Sequence, residues 1–235
     1  MLAPLIVSLF VAHADVGTPP AQVSPAALLP ETPTAMAGIG GGAVRFTGYC
    51  MGSGDCGGMW GIGGAASLGA DVPVGEGMAV RAQAFGAAAD SDPLGGLWVS
   101  LRGPVVEERR LVVSPWVAAG MGIFYGEFTS GGLAGLAIDT GGDHVRVDVS
   151  IPLVGAVADP DSGVEPFYLE PIAVIGEFGV RWEVGERSSL RAGMMGILPG
   201  VDWQRQIGDN GKRLQIGVHG LGVVNTARVG FSQPL

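Results

Sequence analysis

Apolar and polar residues alternate strictly in the stretch HVRVDVSIPL at residues 144–153. Every odd position from 145 to 153 is valine, isoleucine or leucine, whereas Arg146, Asp148 and Ser150 lie between them. This period of two predicts a β-strand with one apolar and one polar face. In a soluble sheet the apolar face packs on a core, but in a membrane barrel it faces lipid and the charges point into the lumen. The class of the protein therefore depends on which face meets water.

Similar alternating segments follow one another from residue 36 to the C-terminal region. Short connections, such as 71–77, 104–109, 140–143 and 183–188, alternate with more polar and generally longer ones. This rhythm predicts an all-β fold, an up-and-down antiparallel transmembrane β-barrel of about ten strands, with eight to twelve as the range. The longer connections are 49–58, 89–96, 126–132, 158–166 and 204–212. The ten segments are 41–48, 59–70, 78–85, 97–103, 110–126, 133–140, 144–153, 167–183, 189–203 and 213–224.

One face of these segments carries a charge in the middle of the strand, and small residues fill the gaps between the charges. A water-facing surface would hold more lysine, glutamate and threonine, whereas small residues suit a crowded barrel interior. We therefore expect a polar lumen network in which charges of both signs pair, because an unpaired buried charge is costly. Its predicted members are Arg45, Arg81, Arg102, Asp139, Arg146, Asp148, Glu177, Arg181, Arg191 and His219.

The amino-acid composition further restricts the class of protein to which the chain can belong. Only 15% of the 235 residues are charged, glycine occurs 42 times, and the only lysine is Lys212. The formal net charge of −9 argues against nucleic-acid binding, which needs clustered basic residues. No apolar run approaches the roughly 20 residues of a membrane-spanning helix. If the chain is in a membrane, only a closed barrel satisfies its backbone hydrogen bonds.

The N-terminal region reads as an export signal followed by a linker. Residues 2–12 are nearly all apolar, and Ala12-His13-Ala14 then gives the small-x-small pattern of a signal-peptidase site, so residues 1–14 are the predicted signal peptide. Residues 15–35 are proline-rich and read as a linker or a disordered tail, and 36–235 as the barrel. Cys50 and Cys56 lie six residues apart in a polar stretch, and in an exported protein they predict a disulfide that closes a loop. Two free thiols remain the alternative.

With a signal, a linker and alternating segments, the chain resembles small bacterial outer-membrane β-barrel proteins over about residues 36–224. The resemblance implies a porin-like protein of the Gram-negative outer membrane, with membrane lipid as its surroundings. It rests on strand rhythm rather than on a sharp motif. Such proteins usually end on an aromatic residue, whereas this chain ends GFSQPL, with Phe231 four residues from the end. Either the last strand extends to Phe231 or assembly recognition differs.

The sequence suggests no catalytic set, metal site or cofactor. His144 lies in a predicted turn and His219 in the last predicted strand, and no nucleophile or phosphate-loop motif accompanies them. We therefore expect a non-enzymatic barrel with a mostly filled lumen and a structural, adhesive or narrow-transport role. Its loops would offer a surface to a partner, and the sequence leaves the oligomeric state unknown. The alternatives are a soluble secreted β-barrel or sandwich that binds a small apolar ligand, and a barrel enzyme acting on lipid or peptide.

Overall fold

The computed structural model describes residues 28–46, 59–89, 92–124, 127–159, 163–167, 176–195, 198–220 and 224–235. These residues form β-strands and tight turns, with no helix among them that is long and apolar enough to cross a membrane. The strands are β1 (Thr34–Phe46), β2 (Met59–Pro73), β3 (Ala79–Ala89), β4 (Asp92–Arg102), β5 (Val106–Glu108), β6 (Leu111–Phe124), β7 (Glu127–Gly141), β8 (Val145–Asp159), β9 (Gly163–Phe167), β10 (Glu177–Gly185), β11 (Ser188–Met195), β12 (Leu198–Ile207), β13 (Lys212–Gly220) and β14 (Val224–Pro234).

Twelve of these strands close into one antiparallel barrel. The ring closes where β14 pairs with β1, from Thr34 opposite Pro234 to Val44 opposite Val224. β5 and β9 lie outside this count: β5 adds three residues beside β6, and β9 pairs with the last part of β8. β10 pairs with the first part of β8 and so completes the ring. The predicted antiparallel barrel is confirmed, and closure pairs the backbones of β1 and β14, as a strand structure in lipid requires.

The predicted count of about ten strands is slightly too low, although twelve lies within the predicted range of eight to twelve. The ninth segment, 189–203, contains two strands, β11 and β12, separated by only residues 196 and 197. β14 lies beyond the last predicted segment, and Phe231 is part of it. β11 and β12 were merged because so few residues separate them, and β14 was missed because small and polar residues interrupt its apolar positions. The eighth segment also divides into β9 and β10, on either side of residues 168–175, which lie outside the described residues.

The two ends of the barrel can be told apart by the chain termini. Thr34 and Pro234 lie together at one end, here called the terminus end. The connections 74–78, 103–110, 142–144, 186–187 and 208–211 belong to the same end, since they follow strands that run toward it. The connection within 204–212 was expected at the opposite end, and this prediction is wrong. Residues 47–58 connect strands at the opposite, distal end.

Several predictions fall on residues outside the described part of the chain. Residues 1–27 hold the proposed signal peptide and most of the linker, and Cys50 and Cys56 lie within 47–58. The signal peptide and the disulfide therefore stay predictions. The barrel itself begins at Thr34, two residues before the predicted boundary.

Candidate functional site: the barrel lumen

The exposure of the side chains along β8 shows which face of the strand points out of the barrel. Val145 and Leu153 are 43% and 51% exposed, whereas Ser150, on the other face, is 7% exposed. Large apolar side chains are exposed around the whole ring, which contradicts a soluble sheet with its apolar face inside. An apolar outer band is what lipid requires. Further examples are Ile39, Leu68, Leu97, Val99, Val117, Met121, Phe178, Val201, Val218 and Val229.

The predicted network residues face the interior wherever their side chains are described. The side chain of Arg45 lies outside the described part. Five of the other residues are buried, with at most 8% exposure: Arg81, Arg102, Asp139, Glu177 and His219. The remaining four, Arg146, Asp148, Arg181 and Arg191, keep side-chain exposures between 13% and 27%. The interior is thus tightly filled in one part and more open beside β8, β10 and β11.

Three arginines stand side by side on the inner wall. Arg181 on β10 lies directly opposite Arg146 on β8 and directly opposite Arg191 on β11. The next inward row toward the distal end places Asp139 on β7 opposite Asp148 on β8. Like charges that face each other across strands are destabilising. Each row is therefore tolerated only because the other row compensates it.

The two rows are joined by ion pairs. Arg146 pairs with Asp139, and Arg191 Nη2 lies 2.6 Å from Asp148 Oδ2. Arg181 Nη2 lies farther from its carboxylates, 3.9 Å from Asp139 and 3.7 Å from Asp148. Arg181 is thus the least tightly held arginine of the row, and at 27% its side chain is also the most exposed.

The network continues from Arg191 across the rest of the wall. Arg191 lies 3.7 Å from Glu177 and 3.6 Å from Asp202. Asp202 in turn accepts from Arg228 at 2.6 Å and lies 3.3 Å from His219 Nε2. The complete set, here called the lumen network, contains four arginines, four carboxylates and one histidine on strands β7 to β14. Its members are Asp139, Arg146, Asp148, Glu177, Arg181, Arg191, Asp202, His219 and Arg228.

A second, smaller cluster lies at the terminus end. Asp71 on β2 accepts two bonds from Arg102, at 3.0 and 2.8 Å, and two from Arg81, at 3.3 and 2.8 Å. The side chains are 6%, 1% and 9% exposed for Asp71, Arg102 and Arg81. Arg102 Nη2 also donates to the backbone carbonyl of Leu28 at 3.3 Å. This mouth cluster carries one more positive than negative charge.

Sequence reasoning missed Asp71, Asp202 and Arg228. Asp71 was read as part of a turn, and Arg228 belongs to the strand that was not predicted. Asp202 was hidden because the ninth segment was read as a single strand, so its inward face was not recognised. Alternation within each observed strand would have placed all three on the inward face. Asp71 shares its face with the buried Ser67, Asp202 with Gly200, which lies against His219, and Arg228 with the buried Thr226.

Inward-facing glycines make room for the large lumen side chains. A Cβ on Gly217 would overlap the side chains of Asp202 and Arg228, and one on Gly179 would overlap Arg191. A Cβ on Gly200 would overlap the ring of His219. Each bulky side chain therefore lies flat against a neighbouring strand where the wall has no side chain. This packing gives the high glycine content a structural role.

The wall formed by β4, β6 and β7 is different, because its inward side chains are mostly apolar. Trp116 on β6 is 2% exposed and packs with Val112, Ala118, Leu133 and Ala137, while Trp98 lies against this cluster. Glycines serve the same purpose here: Cβ atoms on Gly120 and Gly135 would overlap Trp98 and Trp116, respectively. One barrel interior thus has an apolar wall beside a charged one.

The lumen network can bind ions and orient water, but its geometry offers little for catalysis. His219 and Asp202 form an acid–base pair, yet their side chains are 1% and 3% exposed, so a substrate cannot reach them without moving the network. His144 lies exposed in the turn between β7 and β8. No cluster of three or more histidine, cysteine or acidic residues suited to a metal occurs in the described ranges.

Comparison with known proteins identifies the fold. No family profile and no curated protein sequence matches this chain. Among solved structures, the KdgM porin in complex with disordered oligogalacturonate matches with a TM-score of 0.56 at 8% identity, over 85% of this chain and 99% of that one. The KdgM porin alone matches with a TM-score of 0.50, also at 8% identity and the same coverage. The fold is that of outer-membrane β-barrel proteins, which supports the predicted outer-membrane location.

Proposed function

We propose that the chain is a narrow channel of the bacterial outer membrane that passes small hydrophilic solutes and favours anions over cations. One observation carries the proposal: three of the four lumen-network side chains that keep exposure are arginines. Arg146, Arg181 and Arg191 are 21%, 27% and 13% exposed and Asp148 is 21% exposed, whereas the side chains of Asp202 and Arg228 are 3% and 2% exposed. Water in the lumen therefore meets more positive than negative side chains.

The lumen charge supports a preference for anions. Its described charged side chains are six arginines and five carboxylates, the sum of the lumen network and the mouth cluster. The whole chain carries −9, so most of its excess carboxylates lie outside the lumen. An ion inside the barrel is thus surrounded by a weakly positive wall, despite the acidic protein around it.

Barrel size and fold agree with transport. Twelve strands enclose more space than the ten predicted, since barrel diameter grows with strand number. The KdgM porin, which shares the fold, is known in complex with oligogalacturonate. At 8% identity that likeness extends to the fold alone, so the solute of this chain is proposed from its own wall. The side chains that fill the lumen argue for a low conductance rather than a wide pore.

The surroundings follow from the same proposal. We infer that residues 1–14 direct export and that outer-membrane lipid covers the apolar band of the barrel. We also infer that a disulfide between Cys50 and Cys56 closes the connection at residues 47–58. The distal connections, including 158–166, would offer a surface to a partner. No cofactor and no catalytic step are assigned to this barrel, and no nucleic-acid partner fits its acidic charge.

Planar-bilayer recording tests the channel directly. Arg181→Gln should lower the anion-to-cation permeability ratio, and Asp148→Asn should raise it. In water, the interaction free energy between a unit charge and an ion about 4 Å away is about 1 kcal/mol. This energy corresponds to roughly a fivefold change in the occupancy of that position by the ion. Arg109→Gln is the matched control, because Arg109 lies in a turn with its side chain 82% exposed and should leave selectivity unchanged.

Two results would overturn the proposal. If the refolded protein inserts into the bilayer but gives no ion current, the barrel is closed and its role is structural or adhesive. If Arg181→Gln and Arg109→Gln change the permeability ratio equally, the arginine row does not line the path. Opposite shifts for Arg181→Gln and Asp148→Asn support the assignment.

A further inference from the structure

The segment before β1 does not leave the barrel directly. Leu28 accepts a hydrogen bond at 3.3 Å from Arg102, which projects from β4 into the lumen and has a 1% exposed side chain. At the other end of the segment, the Pro33 carbonyl accepts from the backbone N–H of Leu235, beside the end of β14. The segment is therefore fixed at two points on different parts of the rim.

The contact with Arg102 lies on the lumen side of the rim. Arg102 ends β4, but its guanidinium reaches back across β3 and donates to Asp71 on β2, the cross-strand partner of Thr34. The six Cα–Cα steps from Leu28 to Thr34 can extend over about 20 Å, so the segment is long enough to fold inward from β1 and reach this guanidinium. An inward-facing guanidinium can bond the segment only on the lumen side of the rim.

Burial and charge agree with this course. Leu29 and Pro30 are half-buried, although they precede the first strand. Ala79, the first residue of β3 at the same rim, is fully buried. Asp71 forms ion pairs with both Arg81 and Arg102, so the mouth cluster has one uncompensated positive charge. The carbonyl oxygen of Leu28 accepts a hydrogen bond from an N–H group of Arg102 that does not bond Asp71.

We propose that residues Leu28–Pro33 form a strap that folds inward over the terminus-end mouth of the barrel and is held there by Arg102. The strap covers the side of the mouth bounded by β1 to β4 and leaves the side near β11 uncovered. Its release would open the mouth beside the mouth cluster. This inference concerns the occupancy of the mouth and does not depend on ion conduction.

Thiol reactivity tests the strap in the full chain. In a Cys50→Ser/Cys56→Ser background, Ser100→Cys places a reporter on β4, on the same inward face as Arg102 and two residues from it. Ser189→Cys places the matched reporter on β11, on the uncovered side. The two serines are similarly buried, at 5% and 8% exposure. A membrane-impermeant anionic methanethiosulfonate is the probe, with the protein folded in detergent.

The strap is then weakened by replacing Leu28, Leu29 and Pro30 with glycine, which raises the entropy lost on ordering the segment. We expect the reaction of Ser100→Cys to become about tenfold faster, in proportion to the time its site stays open. The reaction of Ser189→Cys should keep its rate. A chain that begins at Thr34, and so lacks the strap entirely, should show the same selective increase.

Two results would overturn the strap. An unchanged rate at Ser100→Cys in both the glycine variant and the shortened chain means that the segment does not cover this side of the mouth. An equal increase at both reporters means that the barrel has loosened as a whole. A selective increase at Ser100→Cys supports the proposal even if the barrel carries no current.

Discussion

The two inner walls of this barrel solve the same packing problem by different means. On the wall of β4, β6 and β7, Trp98 and Trp116 lie over glycines and need only apolar neighbours. On the wall from β8 to β14, arginines and carboxylates lie over glycines in the same way but also depend on one another. The steric requirement is thus common to both walls, whereas the electrostatic requirement belongs to one of them. Substitutions on the charged wall should therefore cost more than substitutions of similar size on the apolar wall.

The largest effect is expected at Asp202. Asp202→Asn keeps the shape but removes the charge that Arg228 and His219 face in a site with 3% side-chain exposure. Breaking a buried pair from one side costs about 3–5 kcal/mol, and the free energy of unfolding in urea should fall by that amount. Asp209→Asn, in the exposed turn of the same hairpin, is the matched control and should change nothing measurable. Equal effects at the two positions would contradict a buried network.

A smaller loss is expected when a glycine that supports a side chain is filled. Gly217→Ala would push a methyl group into Asp202 and Arg228, and Gly120→Ala would push one into Trp98. Overpacking typically costs about 1–3 kcal/mol, so unfolding measurements should show both variants destabilised in that range. Gly64→Ala is the control, since its nearest atom would lie at an ordinary contact distance of 3.7 Å. If all three variants unfold alike, the glycines are not needed for lumen packing.

The smallest effect is expected on the apolar wall at Trp116. Its buried indole Nε1 has no hydrogen-bond partner among the residues that the structure describes, so Trp116→Phe removes an unsatisfied donor together with part of the ring. The two changes oppose each other, and a swap that keeps the hydrophobic character should cost less than about 1.5 kcal/mol in the same unfolding experiment. A loss as large as that of Asp202→Asn would mean that Trp116 holds a polar contact, and the contrast between the walls would fail.

The class of fold could be predicted from alternation because each strand faces lipid on one side and the lumen on the other. Val145 and Arg146 belong to opposite faces in the sequence and in the structure. The strand count could not be predicted as well, since β11 and β12 are separated by only two residues of sequence, too few to interrupt the pattern. β14, which contributes Arg228, was missed because its alternation is carried partly by alanine and glycine.

Individual lumen residues were predictable where a charge stands between large apolar neighbours, as Arg146 does. The pairing could not be predicted, because it depends on which strands become neighbours. Asp202 meets Arg191 directly across β11 and β12, and it meets Arg228 only because β13 offers Gly217 between them. Trp116 was overlooked as an inward residue, although it alternates with Val113 and Val117, which lie on the opposite face.

The central claim is that the valines of this barrel face lipid and its arginines face the lumen. Heat-modifiable gel mobility of the protein extracted from cell membranes tests it most directly, because a detergent-folded barrel migrates differently before and after boiling. The account predicts recovery in the outer-membrane fraction together with a mobility shift on heating. Full recovery in the soluble fraction, with no shift, would contradict it: the valines would then line a core and the arginines would face water.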